Sequence, residues 1–141
     1  NAMTVRIAIA VALFLVLSAV AWWLERRRRT TAPTQGTAST PAQLDRLDFD
    51  RPDAPWLVVL FTSNACASCQ GLYDKASPLA SEDVAVVEIE FPGRRALHER
   101  YHVQAAPMTL VADHEGVVRA TFLGAFSAAD LWNAVAELRT A

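Results

Sequence analysis

The chain has 141 residues, room for about one domain, and 13 Lys or Arg against 15 Asp or Glu leave a net charge of −2. That charge is split: residues 1–41 hold five Arg and one Glu (+4), residues 42–141 eight Lys or Arg and fourteen Asp or Glu (−6). An acidic C-terminal part excludes nucleic acid as a natural partner, since phosphate contact requires a basic surface.

Asn1-Ala2 reads as an expression-tag remnant ahead of Met3 and is set aside. Ile7 to Leu24, IAIAVALFLVLSAVAWWL, is uncharged. At 1.5 Å per residue its eighteen residues nearly cross a hydrocarbon core of about 30 Å. Residues 5–24 are therefore expected to form a transmembrane helix, with Trp22 and Trp23 at the interface. A cleaved signal peptide is the rival reading, with Ala19-Val20-Ala21 as its cleavage site. The four arginines Arg26 to Arg29 resist translocation and favour an uncleaved single-pass anchor. They outnumber Arg6, which places the domain on the cytoplasmic face; the extracytoplasmic face is the alternative. The same block would meet anionic headgroups of the bilayer. Residues 25–43 then form a basic block and a flexible linker, because TTAPTQGTASTPAQ has nothing to pack.

Residues 44–141 make the folded domain. Trp56 to Thr62 is a continuous apolar, β-branched run, the pattern of a central strand buried on both faces. Cys66, Cys69, Tyr73, Ala76 and Ala80 recur at helical spacing and predict a helix with one inward stripe, kinked or ended at Pro78. Val84 to Phe91 predicts a second buried strand. Gly93 to Val103 predicts a helix with Leu97 and Tyr101 inward and His98 and His102 on its solvated side. Met108–Ala112 and Val117–Leu123 flank Asp113-His114-Glu115-Gly116, a hairpin signal with His114 on the turn surface. Ser127 with Asp130 caps a last helix, on which Leu131, Val135 and Leu138 face inward and Trp132 packs beside them. The order β-α-β-α-β-β-α predicts a central mixed sheet with helices on both faces: a parallel first pair and an antiparallel closing hairpin.

Cys66 and Cys69 are the only cysteines. Three uses compete: a redox pair, half of a metal site, or a structural staple. A disulfide closing so short a loop removes little chain entropy, which disfavours the staple. A zinc site would need His98 and His102 as further ligands, at a spacing far beyond a zinc-finger loop. A CxxC between a strand and a helix suits thiol–disulfide exchange. Cys66 at the helix N-terminus has its thiolate favoured by free N–H groups and the dipole, and Cys69 one turn inward is the resolving thiol.

From about Asp53 onward the chain resembles the thioredoxin-fold family. The residues that carry the likeness are the CxxC, Ala106-Pro107-Met108-Thr109 opening the third strand, and Gly124-Ala125-Phe126 before the last helix. The resemblance implies a thioredoxin-like fold and a membrane-anchored thiol–disulfide oxidoreductase, more a reductase than an oxidase. It implies Cys66 and Cys69 as catalytic, a cis Pro107, and Ala106 and Pro107 holding the substrate backbone. The partners would be protein disulfide or dithiol substrates and a protein redox partner; no cofactor and no metal are required. The chain departs from the family pattern in three places. Ala65 stands where Trp is common, Ala67-Ser68 where Gly-Pro is, and Leu60 where many members bury an Asp that shuttles protons. Glu88 on the neighbouring strand is a substitute acid for Cys69, or a solvent-facing carboxylate. A thioredoxin fold used as a binding module without turnover is the alternative function, and CxxC metal binding a further one.

Overall fold

The computed structural model describes residues 1–30 and 39–141, with side chains from 23 to 30 excepted. The expected linker centre and the side chains of Trp23 and Arg26–Arg29 lie outside the described residues. The chain divides into two compact units, residues 1–33 and 34–141.

In the first unit, α1 (Ala2–Thr30) contains one span, Ala2–Trp22, long and apolar enough to cross a membrane. Its apolar side chains point out all round: Phe14 is 69% exposed and Leu17 67%. A helix apolar on every side buries nothing against itself, the arrangement that suits a lipid environment.

The second unit is a four-stranded sheet in the order β2-β1-β3-β4, built from β1 (Trp56–Ser63), β2 (Val84–Phe91), β3 (Met108–Ala112) and β4 (Val118–Leu123). β1 pairs parallel with β2 and antiparallel with β3, and β3 antiparallel with β4. The mixed sheet expected from the element order is therefore present. β1 is central, as its unbroken apolar run requires: Leu57 to Phe61 are fully buried. β2 differs from its expectation. It is an edge strand, and Glu88 and Glu90 interrupt its apolar run where the outer face meets solvent.

Alternation along β1 divides the core into two layers. Leu57, Val59 and Phe61 pack with Ile89, Met108 and Leu110, under Leu97, Tyr101 and Val103 from α3 (Arg95–Arg100) and the segment after it. Val58 and Leu60 pack with Leu72 and Ala76 of α2 (Leu72–Ala76) and with Leu131 and Val135 of α4 (Ala128–Thr140). Each such fully buried Leu or Val contributes roughly 1.5–3 kcal/mol. Ser127 Oγ accepts from Asp130 N at 3.1 Å and caps α4, as its sequence signal predicts.

The helix after β1 is not the continuous one expected. Ala67–Cys69 is a single 3₁₀ turn, Gln70 is extended, Gly71 is left-handed at φ 73°, and only then does the five-residue α2 begin. Glycine alone adopts that left-handed step without cost, so Gly71 breaks the helix between the cysteines and α2. The inward stripe is consequently Cys69, Leu72 and Ala76; Tyr73 and Ala80 are exposed. A second 3₁₀ turn holds Pro78, where the helix was expected to end. α3 is also shorter than its pattern.

The N-terminal edge of the domain is tied in by groups the sequence does not advertise. Leu44 is buried, and its N–H donates to Gly116 O at 2.8 Å. Arg46 is buried and donates to Asp113 O and Ala54 O, both at 2.8 Å. Tyr101 stacks on Phe49 at 5.8 Å, accepts from Asp45 N at 3.0 Å and donates its hydroxyl to Asp48. Trp132 differs from its expected packing role: it is 42% exposed, and Nε1 donates to Lys75 O at 2.8 Å, joining α4 to α2.

Candidate functional site

β1 ends at Ser63, and the chain turns at once into the CxxC. Cys66 N donates to Ser63 O at 3.1 Å and Cys69 N to Cys66 O at 3.2 Å, which closes the 3₁₀ turn. The two cysteines form a disulfide with their Cα atoms 5.3 Å apart. Cys66 is partly exposed and Cys69 buried, the asymmetry expected of an attacking and a resolving sulfur. The expected electrostatic reason is corrected, however. Cys66 caps a three-residue turn and not a long α-helix, so little macrodipole stands behind it. What lies close is Ser68 Oγ at 3.4 Å, a hydroxyl able to donate to a thiolate.

Ala106 and Pro107 are brought to the same place. Cys66 Sγ lies 3.7 Å from Ala106 O, and the Ala106–Pro107 peptide is cis, as is Phe91–Pro92. Pro107 is buried, and its carbonyl accepts from Gly124 N at 2.9 Å, which brings the Gly124-Ala125-Phe126 loop to this rim. Sites 40 residues apart in the chain meet because β3 runs antiparallel beside β1.

Two concavities flank the disulfide. One has a cavity volume of about 410 Å³ and is lined by Thr62, Cys66, Cys69, Asp74, Glu88 and Glu90, among others. Glu88 stands opposite Leu60 in the β1–β2 register, and its Oε1 accepts from Thr62 Oγ1 at 2.9 Å. It is half-buried and shares its cleft with Cys69, so it is not a freely solvated carboxylate. The other has a volume of about 750 Å³ and is lined by Cys66, Phe91, Arg95, His98, His102, Val103 and Ala106, among others.

His98 is the clearest misplacement. It is 7% exposed instead of solvated, its Nε2 donates to Ile89 O at 2.8 Å, and its ring stands edge-on to Phe61 and Phe91. His102 is exposed at φ 52° beyond the end of α3, and His114 is exposed in the hairpin turn as expected. His98 and His102 border the cavity that Cys66 borders, yet no group of three or more His, Cys, Asp or Glu among the described residues is placed to hold a metal ion. Thr62, Ser68 and His98 are the site residues that sequence reading missed. For Thr62 a signal existed: it is the one hydroxyl in the apolar run before the CxxC.

A mixed four-stranded sheet with helices on both faces and a disulfide-forming CxxC beside a proline-led strand is the thioredoxin fold. Solved structures agree. A thioredoxin from Halobacterium salinarum superposes with a TM-score of 0.57 at 22% identity, over 72% of this chain and 95% of that one. The germline-specific thioredoxin Deadhead from Drosophila melanogaster gives 0.55 at 23% identity, over 71% and 98%. StoA from Bacillus subtilis gives 0.53 at 12% identity, over 73% and 99%. At these identities the likeness is one of fold. No protein-family model matches the sequence, and no curated protein does.

Proposed function

We propose that this chain is a membrane-anchored thiol–disulfide oxidoreductase that reduces protein disulfides through Cys66 and Cys69. The observation that carries the reading is the Cys66–Cys69 disulfide itself, with one sulfur partly exposed beside Ala106 and the other buried beneath it.

In the reduced protein the Cys66 thiolate, with the Ser68 hydroxyl beside it, attacks one sulfur of a client disulfide. The client S–S bond breaks, a mixed disulfide forms at Cys66, and the first client sulfur leaves as a thiolate. The Cys69 thiol then gives its proton to the Glu88 carboxylate and attacks Cys66. The second client thiolate leaves, and the Cys66–Cys69 disulfide remains. Two electrons have passed to the client, and a dithiol protein partner must return them. Ala106 and Pro107 hold the client backbone alongside Cys66. No further cofactor takes part.

In this reading residues 1–2 are a tag remnant although Ala2 opens α1, 5–24 are the anchor, 25–43 the basic block and linker with 25–30 continuing α1, and 44–141 the catalytic domain. The α1 span supports the anchor, and Arg26–Arg29 favour a domain on the cytoplasmic face. Reducing pools there would keep the pair as a dithiol.

The test is a redox titration of the full chain in detergent, equilibrated across glutathione ratios, quenched by alkylation and read by mass. A reversible two-electron transition near about −270 mV is expected of a reductant, and one near about −120 mV would reverse the direction. A chain that shows no transition is not an exchange enzyme, and the binding-module reading then takes over.

A further inference from the structure

Cys66 has no long helix behind its sulfur, because it caps a turn of only three residues. What touches the sulfur is Ser68 Oγ, at 3.4 Å. In the disulfide Cys66 Sγ carries no proton, so of these two atoms only the hydroxyl can donate, and the hydrogen bond runs from oxygen to sulfur. Backbone bonds keep the two residues in register. Cys69 N donates to Cys66 O at 3.2 Å and Gln70 N to Ala67 O at 3.3 Å, and opening the S–S bond removes neither. The charged and titratable groups around Cys66 supply no such donor. On one side Arg95 is held by Glu99 at 2.6 Å, His98 meets Ile89 O, and His102 is exposed. On the other stand Tyr73 and the acids Asp74, Glu88 and Glu90, and acids disfavour a second anion beside them. Among the described residues Ser68 Oγ is the one side-chain donor in contact with Cys66 Sγ.

We propose that the Ser68 hydroxyl is a catalytic donor, which in the reduced protein hydrogen-bonds the Cys66 thiolate and favours it over the thiol. The proposal rests on the exchange reading and names the group that readies its nucleophile. A sulfur anion is a stronger acceptor than a disulfide sulfur, so the bond strengthens when Cys66 is freed. The Ser68 proton stays on its oxygen throughout. Cys66 forms the new S–S bond with the client, the client S–S bond breaks, and the client sulfur leaves as a thiolate. The same hydrogen bond has an opposing effect, because a stabilised thiolate is intrinsically less nucleophilic than a more basic one. Ser68 is also a position where this chain departs from the Gly-Pro pattern, and a proline there has no hydroxyl to donate.

The experiment uses the full chain in detergent, reduced, as the unaltered protein, Ser68→Ala and Ser68→Thr. Ser68 is exposed, so neither change takes packing from the core. Two rates are followed from about pH 5 to about pH 10: alkylation of Cys66 by iodoacetamide, read by fragment mass, and exchange with a peptide disulfide, read by rapid quench. In Ser68→Ala the midpoint of the alkylation profile is expected to move up by about one pH unit, the effect of one hydrogen bond to a charged group. The exchange profiles of Ser68→Ala and the unaltered chain are then expected to cross. Below the midpoint the variant is about threefold slower, with about tenfold less thiolate that is about threefold more nucleophilic; above it the variant is about threefold faster. Ser68→Thr keeps the hydroxyl and is expected to follow the unaltered chain. A general disturbance of the site slows exchange at every pH and gives no crossing. An unmoved midpoint, profiles that do not cross, or a Ser68→Thr chain that behaves like Ser68→Ala would each overturn the proposal and leave the exchange reading standing. If the unaltered chain does not react with the peptide, the exchange reading itself fails, and the proposal with it.

Discussion

Thr62 Oγ1 donates to Glu88 Oε1 across 2.9 Å, from the central strand to the edge strand, and both side chains line the cleft that Cys69 also lines. The register sets Glu88 opposite Leu60 and Thr62 opposite Glu90, so the contact is a diagonal one on a single sheet face. The hydroxyl fixes one carboxylate oxygen within that cleft, where the proposed proton transfer from Cys69 would need it. Glu88→Gln is expected to slow resolution of a trapped mixed disulfide by about tenfold or more, within the range of a lost general base. Thr62→Val should slow the same step less, since the carboxylate remains but is no longer held. Single-turnover quench measurements of the resolving step check both. Unchanged resolution in Glu88→Gln would reduce Glu88 to a sheet-edge carboxylate.

Thr109 stands opposite Leu60 on the other side, fully buried, and its hydroxyl has no hydrogen-bond partner. An unsatisfied buried hydroxyl costs about 1–3 kcal/mol, and valine has nearly the same shape. Thr109→Val is therefore expected to stabilise the oxidised chain by about 1 kcal/mol in denaturant unfolding of the domain. A destabilised variant would mean that the hydroxyl is in use.

Asp113 is expected to contribute to the loss of stability in acid. Burial pushes its carboxyl up, but hydrogen bonds from Arg119 and from the N–H groups of Val117 and Glu115 outweigh that and hold it below its ordinary value. A depressed folded value contributes stability that is present above the unfolded value and lost as pH falls through the folded one. Unfolding free energy should thus decline as pH drops below about 4. In Asp113→Asn that part of the decline should disappear, together with the Arg119 ion pair at 2.7 Å. Denaturant titrations between pH 3 and pH 6, pH values chosen to bracket the ordinary carboxylate range, read it directly.

Gly116 has no substitute. Its φ is 82°, and a Cβ added there would stand 2.0 Å from Leu44 O, the backbone that bridges the hairpin to the N-terminal segment. Relief requires moving backbone, so Gly116→Ala is expected to cost at least about 2 kcal/mol. Gly71→Ala, also left-handed but with nothing within 4 Å, should cost less. Paired melting curves compare the two.

Much of the domain was legible because its signals are local. The run Trp56 to Phe61 is apolar without interruption and rich in β-branched residues, and the strand it forms is buried from Leu57 to Thr62. Asp113 to Gly116 turn the chain, Ser127 caps α4, and the CxxC meets Ala106-Pro107 at one rim. Helical spacing misled at two places. It cannot register Gly71 stepping out of the helix, which shortened the stretch behind Cys66 to a 3₁₀ turn. It also placed His98 outward, because a polar residue beside Leu97 reads as solvated until a partner is known. Ile89 O, nine residues back on β2, is that partner.

The sequence by itself determined the strand and helix order, the apolar N-terminal span, and the pairing of two thiols with a proline-led strand. Spacing, hydrophobic period and turn chemistry are properties of neighbouring residues. Only the tertiary structure decided that Glu88 and Thr109 flank Leu60, that Arg46 is buried, and that His98 borders the cavity at Cys66. Those relations depend on strand register and on which carbonyl is left for a buried donor, and both are set by segments far apart in the chain.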